Sequence, residues 1–376
     1  MENKMFHVYR IWASYLKVGI IGAGPSGLAL ARILSERGYN VYVYEAHNRF
    51  AVKPCGWGFP VLDPEEAEHG VFLEAVRASI WSYSGYNVYL DDEILFHSRN
   101  RILGYIVDKE EYLNRLSQGI DVELGSPARY MGKGVIRGRN GERRYDIVVI
   151  AGGFVSQPKE LERILAIQAI VRAPTIEEPE IPELRFYSDL VGYAWIFPEG
   201  EKIARIGVGG FANRETLEKI LKNVIKKRPD ISKGEVVKRE GAEVTVSGVD
   251  LDLAETRDPY YVGEAIGSVL PATGEGIRPS IWSSIALFRS IDRGTSYIDE
   301  LQKLRIARAM KMQRRILDLM LKLSPRDRGE FLRSIPEDLM LRIALGKYEP
   351  RDLFIIARIP KIVGILARYS INILLH

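Results

Sequence analysis

Lys17-Val18-Gly19-Ile20-Ile21-Gly22-Ala23-Gly24-Pro25-Ser26-Gly27 is the stretch that decides the fold. The apolar run Val18 to Ile21 predicts a buried strand. The stretch from Pro25 to Gly38, with Leu28, Ala31 and Leu34 apolar, predicts a helix. Asn40 to Glu45 predicts a second strand, and the three together make one βαβ unit. The turn reads G-x-G-x-x-G, and each glycine has a physical task. Gly22 permits the tight turn, Gly24 lets the backbone approach a pyrophosphate, and Gly27 allows helix and strand to pack closely. Backbone N–H groups around Pro25 and Ser26 open the helix, where an anion is favoured. Glu45, followed by Ala46, ends the second strand, where a carboxylate accepts hydrogen bonds from ribose hydroxyls. The expected ligand is a dinucleotide.

A second glycine-rich segment decides which one. Gly263-Glu264 follows the strand-like Tyr260-Tyr261-Val262, and Thr273-Gly274-Glu275-Gly276-Ile277 opens another helix. An acid after a strand suits a ribityl chain, and the glycine loop offers N–H groups to an isoalloxazine and pyrophosphate. Gly207-Val208-Gly209-Gly210 lacks the spacing and the following acid of a second nucleotide unit. The expected cofactor is therefore FAD rather than NAD.

Further along, Tyr145–Ala151 predicts a central parallel strand, and Leu184–Tyr187, Tyr193–Phe197, Ala204–Val208 and Ala242–Val246 predict a second sheet. From Tyr297 the chain predicts helices, interrupted near Pro325, Pro336, Pro350 and Pro360. Within the second sheet Tyr193, Trp195 and Phe197 alternate, so they share one face, as either an aromatic sheet core or the wall of an apolar channel.

The order of these motifs resembles the geranylgeranyl reductase family of FAD-dependent oxidoreductases, in its archaeal branch, with the p-hydroxybenzoate hydroxylase-like fold. The resemblance rests on the unit ending in Glu45, on Lys53-Pro54-Cys55-Gly56-Trp57-Gly58, on Tyr193-Ala194-Trp195-Ile196-Phe197-Pro198, and on Thr273 to Ile277. It departs from the family at Glu264 and Lys109, where members usually carry Asp and Arg, and at Gly152, where they carry Asp.

The resemblance implies an α/β fold: a Rossmann-type FAD-binding domain, an inserted antiparallel-sheet substrate domain and a helical C-terminal region. Residues 1–15 are expected as an extension, 16–60, 100–160 and 256–296 as the FAD domain, 61–99 and 161–255 as the substrate domain, and 297–376 as the helical region. It implies that Cys55, Gly56, Gly58 and Lys109 lie beside the cofactor, and that Tyr193, Trp195 and Phe197 contact a prenyl chain. Reduced FAD would deliver hydride to isoprenoid double bonds of a lipid, with Cys55 or Tyr193 as proton donor. Electrons would come from an external donor, ferredoxin or NAD(P)H. A flavin monooxygenase and a non-catalytic prenyl-binding protein of the same fold are the alternatives.

Composition narrows the setting. Cys55 is the one cysteine among 376 residues, so no internal disulfide forms and a reducing, cytoplasmic address is expected. No apolar run approaches the roughly 18 residues of a membrane span. His7, His47, His69, His97 and His376 show no metal-ligand spacing, and no metal is expected. The formal charge of +4 is unevenly spread: residues 301–376 hold sixteen Lys and Arg against seven Asp and Glu. Nucleic acid is not expected, since that basic segment carries no recognition motif. Arg351, Arg358, Lys361 and Arg368 instead fall on one helical stripe beside apolar residues. Residues 351–376 read either as a peripheral membrane contact or as helices packed on the protein with basic side chains in solvent. Pro360 argues against one unbroken interfacial helix.

Overall fold

A computed structural model describes residues 16–99, 102–349 and 351–369; the expected extension at 1–15 lies outside them. Lys17–Ile21 and Asn40–Tyr44 are parallel strands joined by the helix Pro25–Glu36, as the opening motif predicts. Val18 and Ile20 are wholly buried, so this strand sits at the centre of a sheet. The order is Tyr260–Tyr261, Ile147–Ile150, Lys17–Ile21, Asn40–Tyr44, Asp121–Glu123, and every pairing is parallel. The helix Pro25–Glu36 buries Leu28, Leu30 and Leu34 and packs against the helix Ile277–Arg293, which brings the two glycine loops to one end of the sheet.

The second sheet has seven strands: Glu235–Thr245, Arg163–Arg172, Ile203–Gly210, Gly192–Pro198, Glu183–Phe186, Tyr86–Leu90 and Glu93–Ser98. Its pairings are antiparallel, as expected, except that Glu183–Phe186 runs parallel to Tyr86–Leu90. Alternation assigns its two faces. Ile167, Ala169, Ala194, Ile196, Ala204, Ile206 and Val208 pack under the helix Arg214–Lys226 through Leu217, Leu221 and Val224. The opposite face presents Gln168, Gly207 and Trp195, which are register partners across three strands.

Residues 61–99, expected in the substrate domain, divide between the two sheets. Residues 61–83 do not join the second sheet, because Val71, Phe72 and Ala75 of the helix Gly70–Arg77 pack in the first core with Leu28 and Leu113. Only Tyr86–Leu90 and Glu93–Ser98 of the 61–99 segment cross over. The C-terminal region is helical as predicted, with a core of Met320, Phe331, Ile335, Leu339, Ile343, Ile362 and Ile365. No helix among the described residues is long and apolar enough to cross a membrane.

Candidate active site

Between the second sheet, the two glycine loops and the C-terminal helices lies a cavity of about 530 Å³, within the usual range for small-molecule sites. At one end are Pro25, Lys53, Cys55, Gly56, Gly58, Lys109, Glu264, Gly274, Gly276 and Ile277. Tyr193, Trp195 and Phe197 form a wall, with neighbouring ring centroids 6.0 and 6.4 Å apart. Met320, Phe331, Ile335 and Met340 close the other end. The aromatic stripe therefore lines the cavity, while the helix-covered face of the sheet is aliphatic.

The glycines have the freedom their motif requires. Gly22 has φ +109°, and a side chain on Gly27 would run into the Gly22 carbonyl. Nothing stands near a side chain built on Gly24, and Gly276 would meet only Val269 at 3.6 Å. The helix Pro25–Glu36 has no side-chain cap and no acid in its first turn, so its N–H groups and positive pole are open to an anion. Glu45 Oε2 accepts from Ala23 N at 2.9 Å and its other oxygen from His47, which fixes the carboxylate beside the loop. Ser26 is buried under this turn, whereas Ala46 is exposed. Gly22, Gly24, Glu45 and Ala46 lie outside the cavity lining and Pro25 within it. A long dinucleotide fits this layout: the first turn would hold its nucleotide half, and the cavity would take its ring.

The Lys53–Gly58 loop is held from several sides. Lys53 pairs with Glu264 at 2.5 Å, and Glu264 also accepts from Thr245 N at 3.1 Å, so both of its oxygens are engaged. Lys109 donates to the Lys53 carbonyl at 2.9 Å, and burial pulls its ammonium below the ordinary lysine range. Gln168 Nε2 donates to the Cys55 carbonyl at 3.1 Å and to Glu240 at 2.6 Å. Burial alone would raise Glu240, but Lys238 and Gln168 hold it below the usual carboxylate range. The Arg205 guanidinium lies 3.5 Å from the Trp57 ring centroid. Trp57 has φ +64°, an unusual conformation for a bulky residue that only such a clamp sustains. Cys55 is half-buried on this loop, and its sulfur accepts from Trp57 N at 3.4 Å.

Tyr193 and Cys55 face the same cavity. The Tyr193 hydroxyl donates to the Thr273 carbonyl at 2.5 Å, and burial pushes its pKa well above the ordinary phenol value. Its proton is thus committed to the 273–277 loop. Glu275 of that loop is gripped by both arms of the buried Arg278, at 2.7 and 2.6 Å, and Arg278 also reaches Glu66.

The sequence reading missed Gln168, Arg205, Arg278 and the helical end of the cavity. Gln168 did leave a signal, as the lone polar residue in Leu165–Val171. Gly207 also gains a meaning: its missing side chain makes room for the Trp195 indole. Two cavity-side atoms, Trp195 Nε1 and Gln168 Oε1, are buried without a hydrogen-bond partner among the described residues. Among the described residues no cluster of His, Cys, Asp and Glu is arranged to hold a metal.

A Rossmann unit with a second glycine loop facing an apolar cavity defines an FAD-dependent oxidoreductase. Residues 166–244 match the family model described as Geranylgeranyl reductase catalytic domain, and residues 20–55 match an NAD(P)-binding Rossmann-like domain, a motif shared by NAD and FAD proteins. The chain is 26% identical to a digeranylgeranylglycerophospholipid reductase of Thermoplasma acidophilum, over 71% of this chain and 75% of that protein. It is also 26% identical to a geranylgeranyl diphosphate reductase of Synechocystis, over 70% and 72%. A solved geranylgeranyl bacteriochlorophyll reductase-like protein from Thermoplasma acidophilum superposes with TM-score 0.68 at 22% identity, over 94% of this chain and 98% of that one. Residues 166–244 thus carry the catalytic domain of geranylgeranyl reductases, and the chain is similar to reductases of that family along most of its length.

Proposed function

We propose that this chain saturates carbon–carbon double bonds in the isoprenoid chain of a lipid. The observation that carries the reading is the cavity itself, which joins the Cys55 loop and both glycine loops to an aromatic wall and an apolar helical end. Away from the charged and amide groups at the Cys55 loop, such an aromatic and aliphatic lining solvates hydrocarbon. The relatives named for geranylgeranyl substrates support the same class.

Gly22, Gly24, Pro25, Ser26, Gly27, Glu45 and Ala46 would hold the nucleotide half of FAD, and Cys55, Gly56, Gly58, Lys109, Glu264, Gly274, Gly276 and Ile277 would surround its ring. FAD, once reduced by an external donor such as ferredoxin or NAD(P)H, supplies hydride in this site. The chain's own part is to align the alkene and provide the proton. Tyr193, Trp195 and Phe197 hold the chain against the Cys55 loop, and their ring faces favour positive charge that develops on carbon. Loss of the π bond leaves two new C–H bonds, one from hydride and one from a proton. Cys55 is the proton donor of this reading, because the Tyr193 proton is already bound to Thr273.

The test is anaerobic incubation of the reduced protein with geranylgeranyl lipids, read by mass. Additions of two hydrogens per double bond are expected. No addition with any prenyl substrate would overturn the reading.

A further inference from the structure

The basic C-terminal segment is left unused by the active site, and its structure gives it a use. Residues 351–369 form two short helices, Arg351–Ala357 and Pro360–Arg368, that pack against each other. Their inner faces bury Ile356, Ile362, Ile365 and Leu366 against Phe331, Ile335 and Ile343, and those three side chains line the cavity. Their outer faces expose large apolar side chains: Phe354 is 64% exposed, Val363 44% and Ile355 38%. Arg358 and Lys361 stand between them, exposed and without a carboxylate partner among the described residues, whereas Arg351 and Arg368 are paired with Glu349 and Asp327.

Scattered exposed apolar residues need no explanation. Here they stand among unpaired cations on amphipathic helices, in a C-terminal region, residues 301–376, that holds sixteen Lys and Arg against seven Asp and Glu. A soluble partner protein would need pockets for these side chains. A bilayer surface needs none, since it takes aromatic and aliphatic groups at the acyl boundary and attracts cations to anionic headgroups.

We propose that the outer face of residues 354–363 docks the enzyme on an anionic lipid surface. The turn at Arg358-Ile359-Pro360 bends the segment, so two short helices share the interface instead of one long one. Docked in this way, the protein presents the helical end of its cavity one helix layer from the lipid. An isoprenoid chain would then pass from bilayer to cavity without crossing water. The inference rests on the proposed lipid reductase reading only for that last step; the docking itself concerns binding alone.

The experiment is flotation of the full chain with phosphatidylcholine vesicles, with and without phosphatidylglycerol, alongside turnover of a detergent-dispersed geranylgeranyl lipid. Partitioning onto the anionic vesicles is expected. Arg358→Gln with Lys361→Gln should weaken it about thirtyfold, or about fivefold per cation. Phe354→Ser with Val363→Ser should weaken binding even at high salt, where the charge contribution is screened. Both double variants should keep wild-type detergent turnover. Absence of flotation by a folded, flavin-loaded chain would overturn the docking proposal, as would flotation indifferent to both double variants. A change of oligomeric state in the Phe354→Ser/Val363→Ser variant, with vesicle binding unaltered, would assign the face to a second copy of the chain and overturn it too. Flotation as expected, with no turnover in detergent or vesicles, would uphold the docking and reject the reductase reading instead.

Discussion

Replacing Gln168 with leucine tests whether the Cys55 loop is held in place by the sheet beneath it. Gln168 is 3% exposed, and its amide nitrogen binds the Cys55 carbonyl at 3.1 Å and Glu240 at 2.6 Å. Leucine keeps the bulk and suits the apolar wall, but it leaves the Cys55 carbonyl without this donor. A neutral hydrogen bond contributes about 0.5–1.5 kcal/mol, and a buried carbonyl left unpaired costs about 1–3 kcal/mol. The loop keeps its other tethers, namely Lys109 on the Lys53 carbonyl, the Lys53–Glu264 pair, and Arg205 over Trp57. The loss is therefore local. Opening around Cys55 should become easier by about 1–2 kcal/mol, which multiplies the open population roughly 5- to 30-fold. Cys55 is the only thiol in the chain, so iodoacetamide labelling reads this population directly and independently of turnover. Labelling of Gln168→Leu should be faster by that factor, with far-UV circular dichroism unchanged. Trp195→Phe is the comparison, because it removes the Trp195 N–H that lies against Gly56 of the same loop and leaves the Gln168 amide in place. It should change labelling by less than about twofold. A wild-type labelling rate in Gln168→Leu would refute the tether. An equal acceleration in both variants would show that the cavity wall as a whole, and not this amide, restrains the thiol.

Cys55→Ala should lower turnover by about 10²–10⁴-fold at unchanged flavin content, measured by single-turnover mass analysis. Tyr193→Phe should instead weaken flavin retention and cost less than about tenfold in turnover, because it releases the 273–277 loop; the reverse ranking would move the proton to Tyr193. Gly27→Ala forces a methyl into the Gly22 carbonyl and should cost about 1–3 kcal/mol together with most of the bound flavin, read by thermal unfolding and visible absorbance. Lys109 is a buried cation whose pKa is lowered by burial, so its charge costs stability at neutral pH. That cost fades as pH rises through the lowered folded value toward the ordinary 10.5. The denaturation midpoint of wild type should therefore gain on that of Lys109→Met as pH climbs through this window. A pH-independent difference would refute the assignment.

The first sheet was legible because its signal is local. Val18 to Gly27 combine a buried strand, an αL-capable Gly22 and an uncapped helix start within a few residues, and their meaning depends on no distant contact. The aromatic stripe was legible only by half. Alternation places Tyr193, Trp195 and Phe197 on one face, but which face meets hydrocarbon and which meets a helix is set by Leu217, Leu221 and Val224 covering the other side. Arg163–Arg172 went unread as a strand because its long-range pairings define it, with residues 203–210 on one edge and 235–245 on the other. The same long-range logic misplaced residues 61–83, whose helix joins the first core.

What the sequence by itself determined, then, was chemistry carried by short spacings: a dinucleotide turn, a lone cysteine in a glycine loop and a basic, apolar C-terminal segment. Tertiary structure alone decided which groups are free to act. It bound the Tyr193 proton to a carbonyl 80 positions along the chain, held Cys55 through Gln168 from 113 positions away, and left Arg358 and Lys361 without a carboxylate partner among the described residues. The physical reason is that a side chain's availability depends on burial and on its hydrogen-bond partners, and both are supplied by residues that only folding brings near.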